Sequence, residues 1–549
     1  MEWNRILSGT WNRIRSRTGN GNKRGLWLAA VTLLFLFLVF VKPYQRVIEM
    51  IPSPEYESVR LFYIWVMRIG MIGLAALAGI LWFCKRVPKF LFPATVVALG
   101  LLYMVVLPPF SAPDEPLHFV SAYQLSSAMM GKQSMADEEF AKTATEWEKE
   151  CLEHGGRVLV REEDGQKGPY PKVNRDSYQR VLENFFTMDH SQGVTVRYEA
   201  PMRTTPVVYF PQAVGITVAR VLHLGYIPLI LMGRLFNLLT FAALAYFAAR
   251  VMPFKKEMIM AVSLLPMTLH LAASLSYDAV LIGLSMAFIG WCFHLAYEKE
   301  QVEIKDVVVL AVILVLLEPC KIVYLPLTGI CLLIPAAKFG SKKRYWISVV
   351  SVICVMALSV FLVNHVVLSV WVTDTENVIS WEGSAGYTFG ELITHPYDTF
   401  MIYYETLVTQ FDYYLTTMLG GYLGYLDPQL NVPQFGLFFL WVALLLSSVH
   451  KEGERIPVKC GQKVWIAVLV FISVCAVLFS MLLGWTPRNL TYITGIQGRY
   501  FLPILPFALV LLFGKWLTIK NDVTKGIYYL ECFVSVYSLL RICSLACIR

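Results

Sequence analysis

Apolar runs close to the ~20 residues an α-helix needs to cross a bilayer recur from one end of this chain to the other. Leu26–Val41, Leu61–Cys84, Phe90–Leu107, Ile227–Arg250, Trp346–Val367 and Val464–Leu483 are the clearest. Hydrocarbon offers the backbone no hydrogen-bond partner, so such runs must bond internally, as helices. The chain is therefore read as an all-α polytopic integral membrane protein. A hydrophobic fraction of 56%, a charged fraction of 16% and a mean hydropathy of +0.56 exclude an ordinary soluble enzyme.

The formal charge of +8 is not a nucleic-acid footprint, because its basic residues cluster in short loops. Arg5, Arg13, Arg15, Arg17, Lys23 and Arg24 precede Leu26–Val41, and no small-residue cleavage site follows. An uncleaved anchor with a cytoplasmic N-terminus is expected. Later clusters (Lys85, Arg86 and Lys89; Arg250, Lys255 and Lys256; Lys342–Arg344; Lys451–Lys463; Lys515–Lys525) then fall in alternate loops, as the positive-inside rule requires. The alternation predicts roughly 13 spans. Residues 1–89 form a cytoplasmic basic tail and a two-span accessory hairpin. Residues 90–514 form the core, with a large helical first outer loop at 108–226 and another outer loop at 368–432, and 515–549 hold a cytoplasmic loop and the last span. Pro206–Leu224, broken by Gln212, Arg220 and His223, is expected to lie along the interface or to dip in and out of the membrane. The 11 cysteines show no metal-binding spacing, most lie in apolar segments, and Cys151 has no evident partner, so no disulfide framework is expected.

On this topology the unusual polar residues share the outer face. Asp114, Glu115 and His118 follow the run ending at Leu107, Asp278 sits at a turn between two spans, and Glu318 and Lys321 flank Pro319. Gln497 and Arg499 precede Tyr500. Charges so near hydrocarbon are costly and need a reason. Structural reasons exist for each. Asp114, Glu115 and Asp278 suit helix N-termini. Glu318 and Lys321, three apart, suit mutual neutralisation, and Arg499 suits snorkelling to the headgroups. Asp114, Glu115 and His118 together also offer a weak Mg²⁺ or Mn²⁺ ligand set.

Three segments, SAPDEPLHFVSAYQLS, SLSYDAVLIGLSMAF and GIQGRYFLPILPF, resemble the markers of a domain-of-unknown-function family of bacterial multi-pass membrane proteins. That family carries an early Pro-Asp-Glu-x-x-His-Phe motif and a late Gln-Gly-Arg-Tyr-Phe-x-Pro motif. The resemblance covers roughly Leu101 to Phe513. The family is similar in organisation to the GT-C class of membrane glycosyltransferases, which use polyprenyl-phosphate sugars and carry an essential acidic motif in their first outer loop. Leu26–Cys84 departs from that class by placing two additional spans ahead of the motif.

The resemblance implies a GT-C-like bundle in a bacterial plasma membrane. It would transfer a sugar from a polyprenyl-phosphate donor to a cell-envelope glycan, lipid or protein acceptor. Asp114 is the expected general base, with Glu115 orienting it. A second carboxylate and nearby lipid should raise its pKa. Arg499 and Lys321 would hold the donor phosphate, and Gln497, Asp278, His118 and Tyr500 would complete the binding site. A transporter or flippase of lipid-linked saccharide, and a non-catalytic envelope-assembly protein, are the alternatives.

Overall fold

The computed structural model describes residues 21–84, 87–131, 152–153, 173–186, 188, 195–196, 205–372, 378–379 and 383–549. Arg5, Arg13, Arg15, Arg17, Lys85, Arg86, Cys151 and nearly all of the Asp137–Glu163 run lie outside them. The described chain is mostly helical. In order, the helices used below are α1 (Gly21–Met50), α2 (Glu57–Phe83), α3 (Leu91–Val106), α4 (Glu115–Met129), α5 (Phe210–Val221) and α6 (Tyr226–Val251). They continue as α7 (Lys256–Leu264), α8 (Pro266–Ala272), α9 (Asp278–Phe293), α10 (Ile304–Leu317) and α11 (Lys342–Val372). The last are α12 (Pro396–Leu419), α13 (Gln434–Ser448), α14 (Cys460–Trp485), α15 (Leu505–Leu512) and α16 (Thr524–Cys547).

Among the described residues, 6 helices are long and apolar enough to cross a membrane: α2, α6, α9 with its extension to Glu298, α11, α14 and α16. Three shorter apolar helices, α3, α13 and Ile322–Leu333, accompany them. The expected count of about 13 is thus met only in part, and proline accounts for much of the difference. Met258–Leu275, an apolar run that reads as one crossing by hydropathy, divides at Pro266 into α7 and α8. Proline has no N–H to donate, and its ring clashes with the carbonyl one turn earlier. Tyr500–Phe513 likewise opens as a 3-10 turn, Gly498–Phe501, before the 8-residue α15. Ile322–Leu333, with Pro326 inside it, is a 12-residue 3-10 helix. At ~2.0 Å per residue it is about 24 Å long, near a crossing despite its few residues. The 12-residue α5 reaches only about 18 Å, short of a bilayer.

Close packing of α6 follows from glycine. A Cβ at Gly215 of α5 would lie 2.3 Å from the Met232 carbonyl oxygen, and one at Gly290 of α9 would lie 3.0 Å from that of Ala248. Small residues of this kind let membrane helices approach backbone to backbone. Helix α9 is the centre of the molecule, with 89% of its span buried, whereas none of the α11 span is. Helix α2 packs on the C-terminal α16, where Gly70 faces Leu540 and Val536, and Tyr63 and Ser544 hydroxyls meet at 3.0 Å.

Helix α6 also sets the distance between the two ends of the bundle. Arg234 lies near its start and Arg250 at its finish. Sixteen residues at ~1.5 Å separate them by about 24 Å.

Candidate functional site

Four helix junctions meet at the end of the bundle nearer Arg234. Asp114 precedes α4 in a left-handed conformation, φ 57°, which costs a non-glycine residue of order 1 kcal/mol or more. Its side chain caps no helix N–H. It turns instead to Arg499, whose Nη2 donates to Oδ2 at 2.5 Å. Asp278, in the first turn of α9, accepts from Lys321 Nζ at 3.3 Å and faces Arg499 Nη1 at 3.6 Å. Two cations and two carboxylates from four separated stretches thus form one alternating chain, Asp114–Arg499–Asp278–Lys321. The sequence pairing of Glu318 with Lys321 is not realised. That spacing assumes a helix, but Lys321 has extended backbone, φ −153° and ψ 107°, and both Glu318 carboxylate oxygens are buried without a partner among the described residues.

Exposure differs sharply along the chain. The Arg499 side chain is 3% exposed and that of Asp278 7%, whereas the Asp114 carboxylate keeps 41%. Arg499 therefore does not snorkel. The glycine before it explains its position. A Cβ on Gly498 would stand 2.1 Å from the Tyr414 carbonyl oxygen and 2.2 Å from the Met418 nitrogen, and its own N–H donates to Thr417 Oγ1 at 2.9 Å. This seats the 3-10 turn on α12 and aims Arg499 inward. Tyr500 stacks its ring 4.3 Å from Lys321 Nζ and 5.3 Å from the Arg499 guanidinium carbon. Arg499 Nε and Nη1 have no hydrogen-bond acceptor among the described residues, nor has buried Gln497 Oε1 a donor. Buried donors are normally satisfied, so a buried guanidinium with donors to spare needs an explanation.

Burial pushes the Asp114 carboxyl up, but Arg499 and His118 outweigh it and hold it below the ordinary value. The raised value expected from sequence is reversed, because the neighbouring carboxylate points elsewhere. Glu115 is fully buried and takes Arg234 in a two-pronged pair, Nε to Oε1 at 2.7 Å and Nη2 to Oε2 at 2.6 Å. It also accepts from the backbone N–H of Leu275 and Ala112. Arg234 completes its fork on the carbonyls of Leu107 and Pro108. The pair ties α4 to α6 and to the turn leading into α9, so it positions Asp114 and Asp278 without meeting solvent. Arg234 escaped the sequence reading, although the signal was present: a charge in the middle of an apolar run, with no other charge across residues 226–249.

His118 is buried against Tyr209, Nδ1 to hydroxyl 2.9 Å, and stands edge-on to Tyr277. Burial lowers its pKa to about 4, so it is neutral at pH 7. The sequence-suggested metal set does not fit. Glu115 is saturated by Arg234, His118 Nδ1 meets a tyrosine and Asp114 meets a guanidinium, so the three donors do not converge. No group of three His, Cys, Asp or Glu residues suited to an ion occurs among the described residues. The arrangement sets unpartnered guanidinium N–H groups of Arg499 beside the part-exposed Asp114 carboxylate.

Residues 97–508 match the family model described as "Predicted membrane protein (DUF2142)". No curated protein and no solved structure matches.

Proposed function

We propose that this protein, which belongs to the DUF2142 family of membrane proteins, is a GT-C-type glycosyltransferase. It would draw a sugar from a polyprenyl-phosphate carrier at the outer face of a bacterial plasma membrane and pass it to a cell-envelope acceptor. The observation that carries this reading is the half-filled Arg499. Among the described residues its Nε and Nη1 have no hydrogen-bond acceptor, and a second cation, Lys321, stands nearby at the end of a membrane bundle. Phosphate suits a planar guanidinium fork, which gives charge-assisted, paired hydrogen bonds.

The chemistry follows from the same chain of charges. The acceptor oxygen bonds the anomeric carbon as the bond from that carbon to the phosphate oxygen breaks. The electron pair leaves on polyprenyl phosphate, stabilised by Arg499 and Lys321, and the acceptor proton passes to Asp114. Asp114 is the accessible carboxylate and the one Arg499 would release when phosphate competes for the guanidinium. Donor binding would thereby raise the proton affinity of Asp114 when a base is needed. Gln497, Asp278, His118 and Tyr500 would line the sugar and phosphate positions. The transporter alternative draws no comparable support, since the most deeply buried charge pair, Glu115–Arg234, has its hydrogen bonds filled from within.

Asp114→Asn tests the proposal in purified protein supplied with polyprenyl-phosphate sugar. Turnover should fall by roughly 10²–10⁴-fold, the usual worth of a general base, while donor binding persists. Undiminished transfer would remove Asp114 from the reaction.

A further inference from the structure

The opposite end of the bundle holds a half-open cavity of about 960 Å³ with polar and apolar walls. Segments from α3, α6, α7, α13 and α16 and their connections wall it. Helix ends of both senses reach it, so its electrostatic character is set by side chains and not by helix dipoles.

Six cations line it, against four acids. Two cations are neutralised: Lys255 by Glu454 at 2.9 Å and Lys451 by Asp522 at 3.0 Å. Lys525 donates to the Cys84 carbonyl, and Glu257 accepts from Thr524. Lys89, Arg250 and Lys256 remain exposed, with no acidic partner among the described residues. Glu452 is the one exposed acid left to oppose them. Lys255 adds a second sign of a shaped site. It is 8% exposed and left-handed, φ 46°, held by Glu454 and by the Phe513 ring 5.3 Å from Nζ. Strain of that kind persists only where its surroundings enforce it.

The wall is amphipathic. Phe92, Met260 and Ile527 contribute apolar surface inside the cavity. Phe90, beside Lys89 at the start of α3, is 69% exposed on the outside of the bundle. A soluble anion needs neither feature, whereas a lipid places its phosphate among the cations and its chains along the helices. Basic pockets between membrane helices hold anionic headgroups in this way.

We propose that this cavity binds the phosphate of an anionic phospholipid, at the membrane face opposite the Asp114–Arg499 cluster. The site is independent of the sugar chemistry above.

Native mass spectrometry of the detergent-purified protein reads the binding directly, with phosphatidylglycerol, phosphatidylcholine and glycerol 3-phosphate as probes. Phosphatidylglycerol should be retained over phosphatidylcholine. The double variant Arg250→Gln/Lys256→Gln should lose that retention by roughly ten-fold or more, the worth of one or two charge-assisted hydrogen bonds. Lys89→Gln serves as a milder second variant, and Lys520→Gln, whose lysine does not line the cavity, as a control that should change nothing. Thermal melting reports whether each variant stays folded. Equal retention of the two lipids, or unchanged selectivity in both cavity variants, overturns the proposal. Displacement of the lipid by glycerol 3-phosphate at equal concentration overturns its lipid part.

Discussion

Asp114 and Glu115 are chemically similar neighbours with opposite fates, and one backbone conformation divides them. The left-handed turn at Asp114 sends its carboxylate to Arg499, while Glu115 enters the helix and reaches Arg234. Their variants should therefore differ in kind. Arg234→Met strands a buried carboxylate, which typically costs about 3–5 kcal/mol. Replacing both partners, Glu115→Leu/Arg234→Met, should recover part of that loss, because no charge is then buried unpaired, although the Leu275 and Ala112 N–H groups and the Leu107 and Pro108 carbonyls lose their partners. Denaturation in detergent measures this, and a double variant less stable than either single one would contradict it. At this scale the sequence was informative about Asp114, Asp278, Lys321 and Arg499, each a charge set against an apolar run. It was silent on which charge meets which. Pairing Glu318 with Lys321 required a helix that Pro319 breaks, and the partner of Glu115 lies 119 residues away.

Elements matter chiefly where they stop. Asp278 begins α9, Asp114 precedes α4, Lys321 joins two 3-10 segments, and Arg499 rides the turn before α15. Gly498 is the tightest of these joints. Gly498→Ala would drive a methyl into the α12 backbone, which cannot swing aside as a flexible side chain could. The turn must shift, so phosphate binding should fall to about the level of an Arg499 variant, with a smaller loss of stability. Gly484→Ala, where nothing lies within 4 Å, should be nearly silent. Equal effects of the two substitutions on binding would refute the role of this close approach. Helix existence was legible from apolar runs, but their interruptions were not. Hydropathy registers Met258–Leu275 as one apolar stretch, whereas the missing N–H of Pro266 ends one helix and begins another.

For the whole molecule, the two polar regions lie at opposite ends of α6, and on the charge alternation we propose that the Lys256 end faces the cytoplasm. In a background lacking Cys151, which falls in the expected outer loop 108–226, and the exposed Cys354 and Cys460, Gln429→Cys should react with an impermeant thiol reagent in intact cells and Ser341→Cys should not. The reverse pattern would invert the orientation. If the buried charge chain grips a lipid-linked phosphate, as proposed, Arg499→Lys should weaken that grip. Lysine keeps the charge that Asp114 and Asp278 require but lacks the planar fork. Polyprenyl-phosphate affinity, measured on detergent-purified protein of unchanged melting temperature, should weaken by roughly ten-fold or more. Equal affinity in wild type and Arg499→Lys would contradict the account.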